Sequence, residues 1–472
     1  MGDSVLRSEK DTLGVVEIPD DVYYGPQTAR ALANFKVSGE RLPAEFIRAQ
    51  AAVKMASAKT NMELGKLDPL IGSSIVKAAS EVRTGDLVEH FVVDVFQSGA
   101  GTSQNMNANE VIANRALEIM GHERGRYDII HPNDHVNMSQ SSNDTIHTAM
   151  HIAAVESLKG DLLPVIGELL GLLNARSSEF MQVVKAGRTH LQDAVPLTLG
   201  QEFSAYARMV ELDRERIVAS MDGLLELNMG GTAVGTGLNA PAGFPAIAIR
   251  EMRSITGTEF RLAENAFEAT QGAGAILACS SALRGLAVSL TKIANDIRLL
   301  SSGPRAGLGE VKLKAVQPGS SIMPGKVNPV MAEMLNMACF QVIGNDAAIM
   351  MAAQAGQLDL NVFTPLMAHN LLRSVRILTG AIASFNSRCL DHLSADTKRC
   401  EELAASSLAL VTSLAPVIGY EEAAQIAYRA HRENRSIREI VVQMGILPDE
   451  MIWELLDPIK LTGVENDRDN VR

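Results

Sequence analysis

Aromatic residues are scarce, at 4% of a 472-residue chain with a single Trp, while Met reaches 21 and hydrophobic residues 46%. Sheets draw on aromatic and β-branched side chains, whereas Ala, Leu and Met favour helices, so this composition predicts an all-α fold. Cysteine is also sparse. Cys279, Cys339, Cys389 and Cys400 form no CxxC pair, and the first two sit in apolar, helix-like runs. That pattern excludes a disulfide scaffold and predicts reduced core thiols in a reducing, cytoplasmic compartment. The formal charge of −12 comes from mixed acidic and basic residues without a basic block, which excludes the electrostatic footprint of a nucleic-acid binder. The opening MGDSVLRSEKD has no apolar core of a secretory signal, and Leu6 stands where a myristoylated Gly2 would need Ser or Thr. The stretch from Leu403 to Tyr420 is uncharged but holds Ser406, Ser407, Ser413 and Pro416, which favours a helix followed by a turn over a membrane span.

What is present in quantity is helical periodicity. The first ~135 residues mix short helical stretches with turn-rich segments, and from about Asp144 long runs take over, at 145–180, 198–227, 264–301, 328–354 and 361–391. In the first run Val155, Leu158, Leu162, Ile166, Leu169 and Leu173 recur at helical spacing. The third approaches forty residues, on the order of 55 Å. Five such helices predict an elongated central bundle, and small residues such as Ala273, Gly274, Ala275 and Gly285 predict close packing shared between subunits. Shorter helices follow from about Asp396, with a turn at Pro416–Gly419, and the closing GVENDRDNVR is expected to fray. The expected domains are 1–143, 144–395 and 396–472.

Four segments between the runs carry more polar chemistry than turns need: GAGTSQNMN (99–107), HPNDHVNMSQSSND (131–144), GRTHLQD (187–193) and GSSIMPGKVNP (319–329). The last resembles a phosphate loop but misses it, because Pro324 takes the place of the second glycine and Val327 offers no hydroxyl to a metal. Together the segments offer neutral donors (Thr102, Ser141, Ser142, Asn143, Thr189, Asn328), Lys326 and His190, a set suited to a small dicarboxylate held without metal or nucleotide. Each also has an ordinary reading. GAGTS can be a tight turn, His190 a buried core histidine and Lys326 a surface charge. SSND can be a helix cap through Ser142, Asn143 or Asp144, and a helix N-terminus is also an anion site. His147 and His151 in HTAMH have zinc-pair spacing, but Thr148 replaces the glutamate and no third ligand is indicated, so no metal is expected. GGTAVGTG (230–237) lacks a βαβ context for a dinucleotide and reads as a flexible or tightly turned linker.

These segments, in this order, resemble the fumarase/aspartase superfamily of lyases. GSSIMPGKVNP is similar to its signature loop, GRTHLQDAVPLTLGQE and GGTAVGTGLN to two further blocks, and GYEEAA to its C-terminal domain. The resemblance implies a homotetramer with a twenty-helix core, active sites shared between three chains, a small dicarboxylate substrate and no cofactor. It implies Ser320 as base, with His190 acting on the opposite side and Glu333 polarising it. It implies a substrate shell of Ala100, Gly101, Thr102, Ser141, Ser142, Asn143, Thr189, Ser321, Lys326, Val327 and Asn328. It further implies a second dicarboxylate site at His131, Pro132, Asn133 and Asp134. HPND, SSN and GGT are similar to class II fumarases, while YYGPQT, GAGTS and AGQLDLNV lean toward aspartate ammonia-lyases. The substrate-shell residues favour the hydratase. A non-catalytic helical scaffold is the remaining alternative, against which the retained Ser320, Lys326 and His190 argue.

Overall fold

The computed structural model describes residues 5–464, so Gly2 and all but the first two residues of GVENDRDNVR lie outside the described residues. The fold is all-α, and its strands pair only two at a time among the described residues. Along the chain, a hairpin of β1 (Leu6–Asp11) and β2 (Gly14–Pro19) precedes α1 (Pro26–Asn34), α2 (Ala44–Glu63), α3 (Pro69–Thr84) and α4 (Thr102–Ile119). Helices α5 (Ser142–Ser157) and α6 (Leu163–Glu179) lead to a second hairpin, β3 (Val184–Thr189) and β4 (Gln192–Thr198). Then come α7 (Leu199–Leu224), α8 (Phe244–Thr256), α9 (Ala266–Gln271), α10 (Gly274–Leu300), α11 (Val330–Gln354) and α12 (Thr364–Arg388). Short helices close the chain, from α13 (Thr397–Ser406) and α14 (Ala415–Ile418) to α15 (Tyr420–Glu433), α16 (Ile437–Met444) and α17 (Asp449–Leu455).

Two compact units interleave along this order. One comprises residues up to Leu163, Glu215–Gly285 and Phe340–Thr379, and its core packs Ile47, Ile75, Val82, Val111, Ile112 and Leu117 from α2, α3 and α4. The other comprises Pro164–Arg214, Leu286–Cys339 and the chain from Gly380. Within it Leu410, Leu414, Ile426, Ile440 and Ile452 form a separate apolar cluster. The uncharged stretch at 403–420 is broken here into the end of α13, a 3-10 turn and α14, which no membrane span would be.

Five long helical runs are present, with two adjustments. The run expected at 145–180 is α5 and α6 joined by a π turn over Leu158–Leu162. Pro164 has no N–H to give Gly160 and its ring crowds that carbonyl, a mismatch that the π turn absorbs. The six apolar residues of its stripe are all fully buried, at 0% exposure. The run expected at 264–301 is not continuous: Asn265 caps α9, Gly272 turns extended (φ −80°, ψ 152°), and α10 restarts at Gly274 with 27 residues, roughly 40 Å. By length and composition α10 could cross a bilayer, but Arg284 within it pairs with Asp346 at 2.7 Å, the habit of a protein-packed helix.

His147 on α5 is buried with neither ring nitrogen partnered, and burial pushes its pKa down to about 4. A histidine neutral in the fold but protonated when unfolded contributes stability above pH 6.5, and loses it as pH falls toward 4. The loss reaches up to about 3 kcal/mol. Glu110 and Asp144, raised by burial to about 7 and about 6, act with opposite sign over that range. Thermal unfolding of wild type and His147→Leu between pH 7 and 4 isolates the histidine: the variant is expected to lose less stability on acidification.

Candidate active site

Each polar segment acquires its shape from a local constraint. At the first, Ala100 and Gly101 both take left-handed backbone (φ 56° and 69°) just ahead of α4, and Ala100 N donates to Val362 O at 2.7 Å. Ala100 is buried, while Thr102 is exposed as the first residue of α4, its Oγ1 donating to Gly99 O at 3.3 Å. At the second, the helix cap is Ser141, one residue earlier than the expected Ser142, Asn143 or Asp144. Ser141 Oγ accepts from Asn143 N at 3.2 Å while Asp144 Oδ1 accepts from Ser141 N at 3.0 Å, a reciprocal capping box. Asp144 is fully buried, and its other oxygen accepts from Gly230 N and Thr232 N at 3.2 and 3.1 Å. The GGTAVGTG segment is therefore a tight turn clamped on Asp144. Asn143 Nδ2 donates to Ala233 O at 2.7 Å, so one of its two amide hydrogens is already spent. Ser142 is half-buried, and its Oγ accepts from Asn105 Nδ2 at 3.1 Å.

The HPND segment is a π turn over Pro132–Val136. His131 Nδ1 accepts from Asn133 N and Asp134 N at 3.1 and 3.2 Å, which fixes the neutral ring as the Nε2–H tautomer. Pro132 is buried, whereas Asn133 and Asp134 are exposed.

GRTHLQD is not the simple inter-helical loop its sequence suggests but the tip of the β3–β4 hairpin. Thr189 pairs with Gln192, leaving His190 and Leu191 as a two-residue turn with φ of 56° and 61°. Such turns normally use Asn-Gly, and holding two other residues left-handed costs on the order of 1 kcal/mol or more each. His190 is exposed rather than a core histidine. Beneath the tip, Arg188 forms two parallel bonds to Glu310, at 2.9 and 3.0 Å, and Lys185 lies 3.5 Å from the same fully buried carboxylate.

GSSIMPGKVNP folds back on itself. Gly319 N donates to Lys326 O at 2.8 Å, Asn328 Nδ2 donates to Gly319 O at 2.7 Å, and Gly325 turns at φ 80°. A Cβ on Gly319 would collide with Lys326 O. Inside the fold, Ser320 Oγ accepts from Ile322 N at 3.2 Å and Met323 N at 3.0 Å. Ser321, Lys326 and Val327 are exposed; Lys326, Val327 and Asn328 line a cavity of about 560 Å³ that Lys312, Asp396 and Arg399 also border. Glu333 stands in the first turn of α11, half-buried. The chain does not join Glu333 to His190 by any hydrogen bond or ion pair among the described residues.

The family described as Lyase matches residues 14–344, and the domain described as Fumarase C C-terminus matches 410–463. The chain belongs to the fumarase/aspartase superfamily of lyases. It is 49% identical to a class II fumarate hydratase of Brucella suis over 447 residues, covering 95% of this chain and 96% of that protein. It is equally 49% identical to an aspartate ammonia-lyase of a Bacillus species over 457 residues, covering 97% of each. Among solved structures, a recombinant class II fumarase from Schistosoma mansoni superposes with a TM-score of 0.94 at 39% identity, over 97% of this chain and 99% of that one. Overall identity therefore does not separate the two chemistries, and the enzyme is a lyase in either case.

Sequence reasoning passed over Asn105, Arg188 and Glu310. Arg188 belongs to GRTHLQD, but its partner is 122 positions away and no spacing rule links them. Removing one charge from a buried pair costs about 3–5 kcal/mol. Glu310→Gln is therefore expected to lower the melting temperature and, in the fraction that folds, to reduce kcat by loosening the His190 turn. An unchanged kcat alongside a lowered melting temperature would assign Glu310 to stability alone.

Proposed function

We propose that this lyase is a class II fumarate hydratase, interconverting fumarate and L-malate by anti addition and elimination of water through a carbanion. The carrying observation is the Ser320 hydroxyl, whose oxygen already accepts two backbone N–H bonds. A serine is too weak a base unless its alkoxide is stabilised, and two amides aimed at Oγ with a lysine in the same loop do that. In elimination, Ser320 Oγ takes the proton from the carbon next to a carboxylate, whose extra charge Lys326 and Asn328 hold. The C–O bond then breaks, and the departing hydroxide takes a proton on the His190 side to leave as water. Ser141, Ser142, Asn143 and Thr189 supply neutral donors for the remaining oxygens, Thr102 joins them by turning its hydroxyl away from Gly99 O, and Ala100, Gly101, Ser321 and Val327 shape the pocket. His131, Pro132, Asn133 and Asp134 form a second, non-catalytic dicarboxylate site. The fumarase-like HPND, SSN and GGT favour water over ammonia as the group added.

The assembly is a homotetramer in which three chains complete each site, with segments 1–143, 144–395 and 396–472 as its domains. Support comes from α11, whose outer stripe of Met337, Phe340, Gly344, Ala347 and Met351 is exposed in one chain. Met337 and Phe340 are 65% and 57% exposed, too much apolar surface for a helix that ends in water. Glu333 on the same helix would then meet His190 of another chain. A cytoplasmic location accords with four buried, unpaired cysteines, three with thiols pushed up to about 12 by burial.

Absorbance at 240 nm on adding malate or aspartate separates the two chemistries: fumarate is expected from malate, and ammonia release from aspartate would instead assign the ammonia-lyase. Ser320→Ala is expected to abolish turnover in a folded tetramer; substantial residual activity removes it from the base role. Lys326→Met is expected to raise KM chiefly, and His131→Asn to leave kcat/KM nearly intact.

A further inference from the structure

Helix α2 carries one charge in the middle of the small-residue run QAAVKMASA, and that residue, Lys54, is fully buried at 0% exposure. Its ammonium makes no ion pair among the described residues. It donates instead to two neutral amide oxygens, Asn137 Oδ1 and Gln140 Oε1, each at 3.0 Å. Burial pushes its pKa down to about 7, so the ammonium is held only below that pH; the Asp144 carboxylate opposes the fall but is already spent on backbone amides. A buried ammonium held only by amides costs several kcal/mol, and an apolar side chain of similar length would fill the space without that cost.

The hydrogen bonds leading away from Lys54 have a direction. An ammonium is donor-only, so Asn137 must present its oxygen to it. The same Asn137 Oδ1 accepts from Asn105 Nδ2 at 3.1 Å, which requires Asn105 to present its NH2 on that side. That nitrogen also donates to Ser142 Oγ at 3.1 Å, while Thr145 Oγ1 shares its one hydrogen between Ser141 O at 3.0 Å and Asn105 Oδ1 at 3.3 Å. Ser142 Oγ is thereby made an acceptor toward the protein, and its hydrogen is left to be donated elsewhere.

We propose that Lys54 is a positioning residue for substrate binding: by donating from Nζ it sets Asn137, and through Asn137 and Asn105 it sets the Ser142 hydroxyl to donate to a substrate carboxylate. This rests on Ser142 being part of the substrate shell. The test is a double-mutant cycle on the full-length enzyme with malate and fumarate, using Ser142→Ala, Lys54→Met and the pair. Each single variant is expected to raise KM about tenfold with kcat within about threefold of wild type, and the pair no further, since both remove one hydrogen bond. Lys54→Arg, still donor-only, is expected to recover part of the affinity. A folded Lys54→Met enzyme with unchanged KM, or effects that multiply in the pair, would overturn the proposal while leaving the substrate shell standing. An unchanged KM in Ser142→Ala overturns the shell assignment and this proposal with it. Where Lys54→Met does not assemble, Asn137→Leu breaks the next link and the same cycle is read with it: coupling to Ser142→Ala supports the relay, and independence overturns it.

Discussion

The buried carboxylate of Asp144 is the constraint on which the start of α5 and the 230–232 turn both depend. One oxygen closes the capping box at the start of α5, and the other gathers the amides of the 230–232 turn. Burial raises its pKa to about 6, and four bonds and charges, from Ser141, Thr232, Gly230 and Lys54, work against that rise. The three donors Ser141, Ser142 and Asn143 therefore sit on a helix end whose position is fixed from behind. A helix N-terminus is also where an anion is best received, and here one carboxylate sets both the cap and the turn beside it.

The β3–β4 hairpin and the 319–329 loop follow the same logic with different parts. Glu310 holds Arg188 two positions before His190, and the hairpin tip keeps two residues left-handed that would relax elsewhere in a freer loop. The 319–329 loop spends its backbone on itself, and the amides left pointing inward meet Ser320 Oγ. In each case the candidate side chain is short or exposed, and the rigidity comes from buried charge or backbone bonding beneath it. That division suits chemistry on a dianion, because the donors must already be aimed when the extra charge develops.

Much of the helical frame was legible in the chain. The six-residue stripe from Val155 to Leu173 named a buried face correctly because apolar spacing follows directly from 3.6 residues per turn. The break at Gly272 was not legible, since helix-favouring residues stand on both sides and only Gly272 and Ala273 leave the helix between α9 and α10. The β3–β4 hairpin escaped for a different reason. Lys185 and Arg188 point into a buried ion network where a strand would ordinarily show apolar alternation, so the period-two signal is absent.

By itself the sequence determined the helix class, the polar segments and the residue types a dicarboxylate needs, because composition, periodicity and short motifs act over a few neighbours. Only the tertiary structure decided which way those residues are held. Ser141 became the cap, Ser320 Oγ received two amides, and Lys54 came to lie behind Ser142. Each depends on hydrogen-bond direction between groups that are close in space, often far apart along the chain, and direction leaves no trace in spacing.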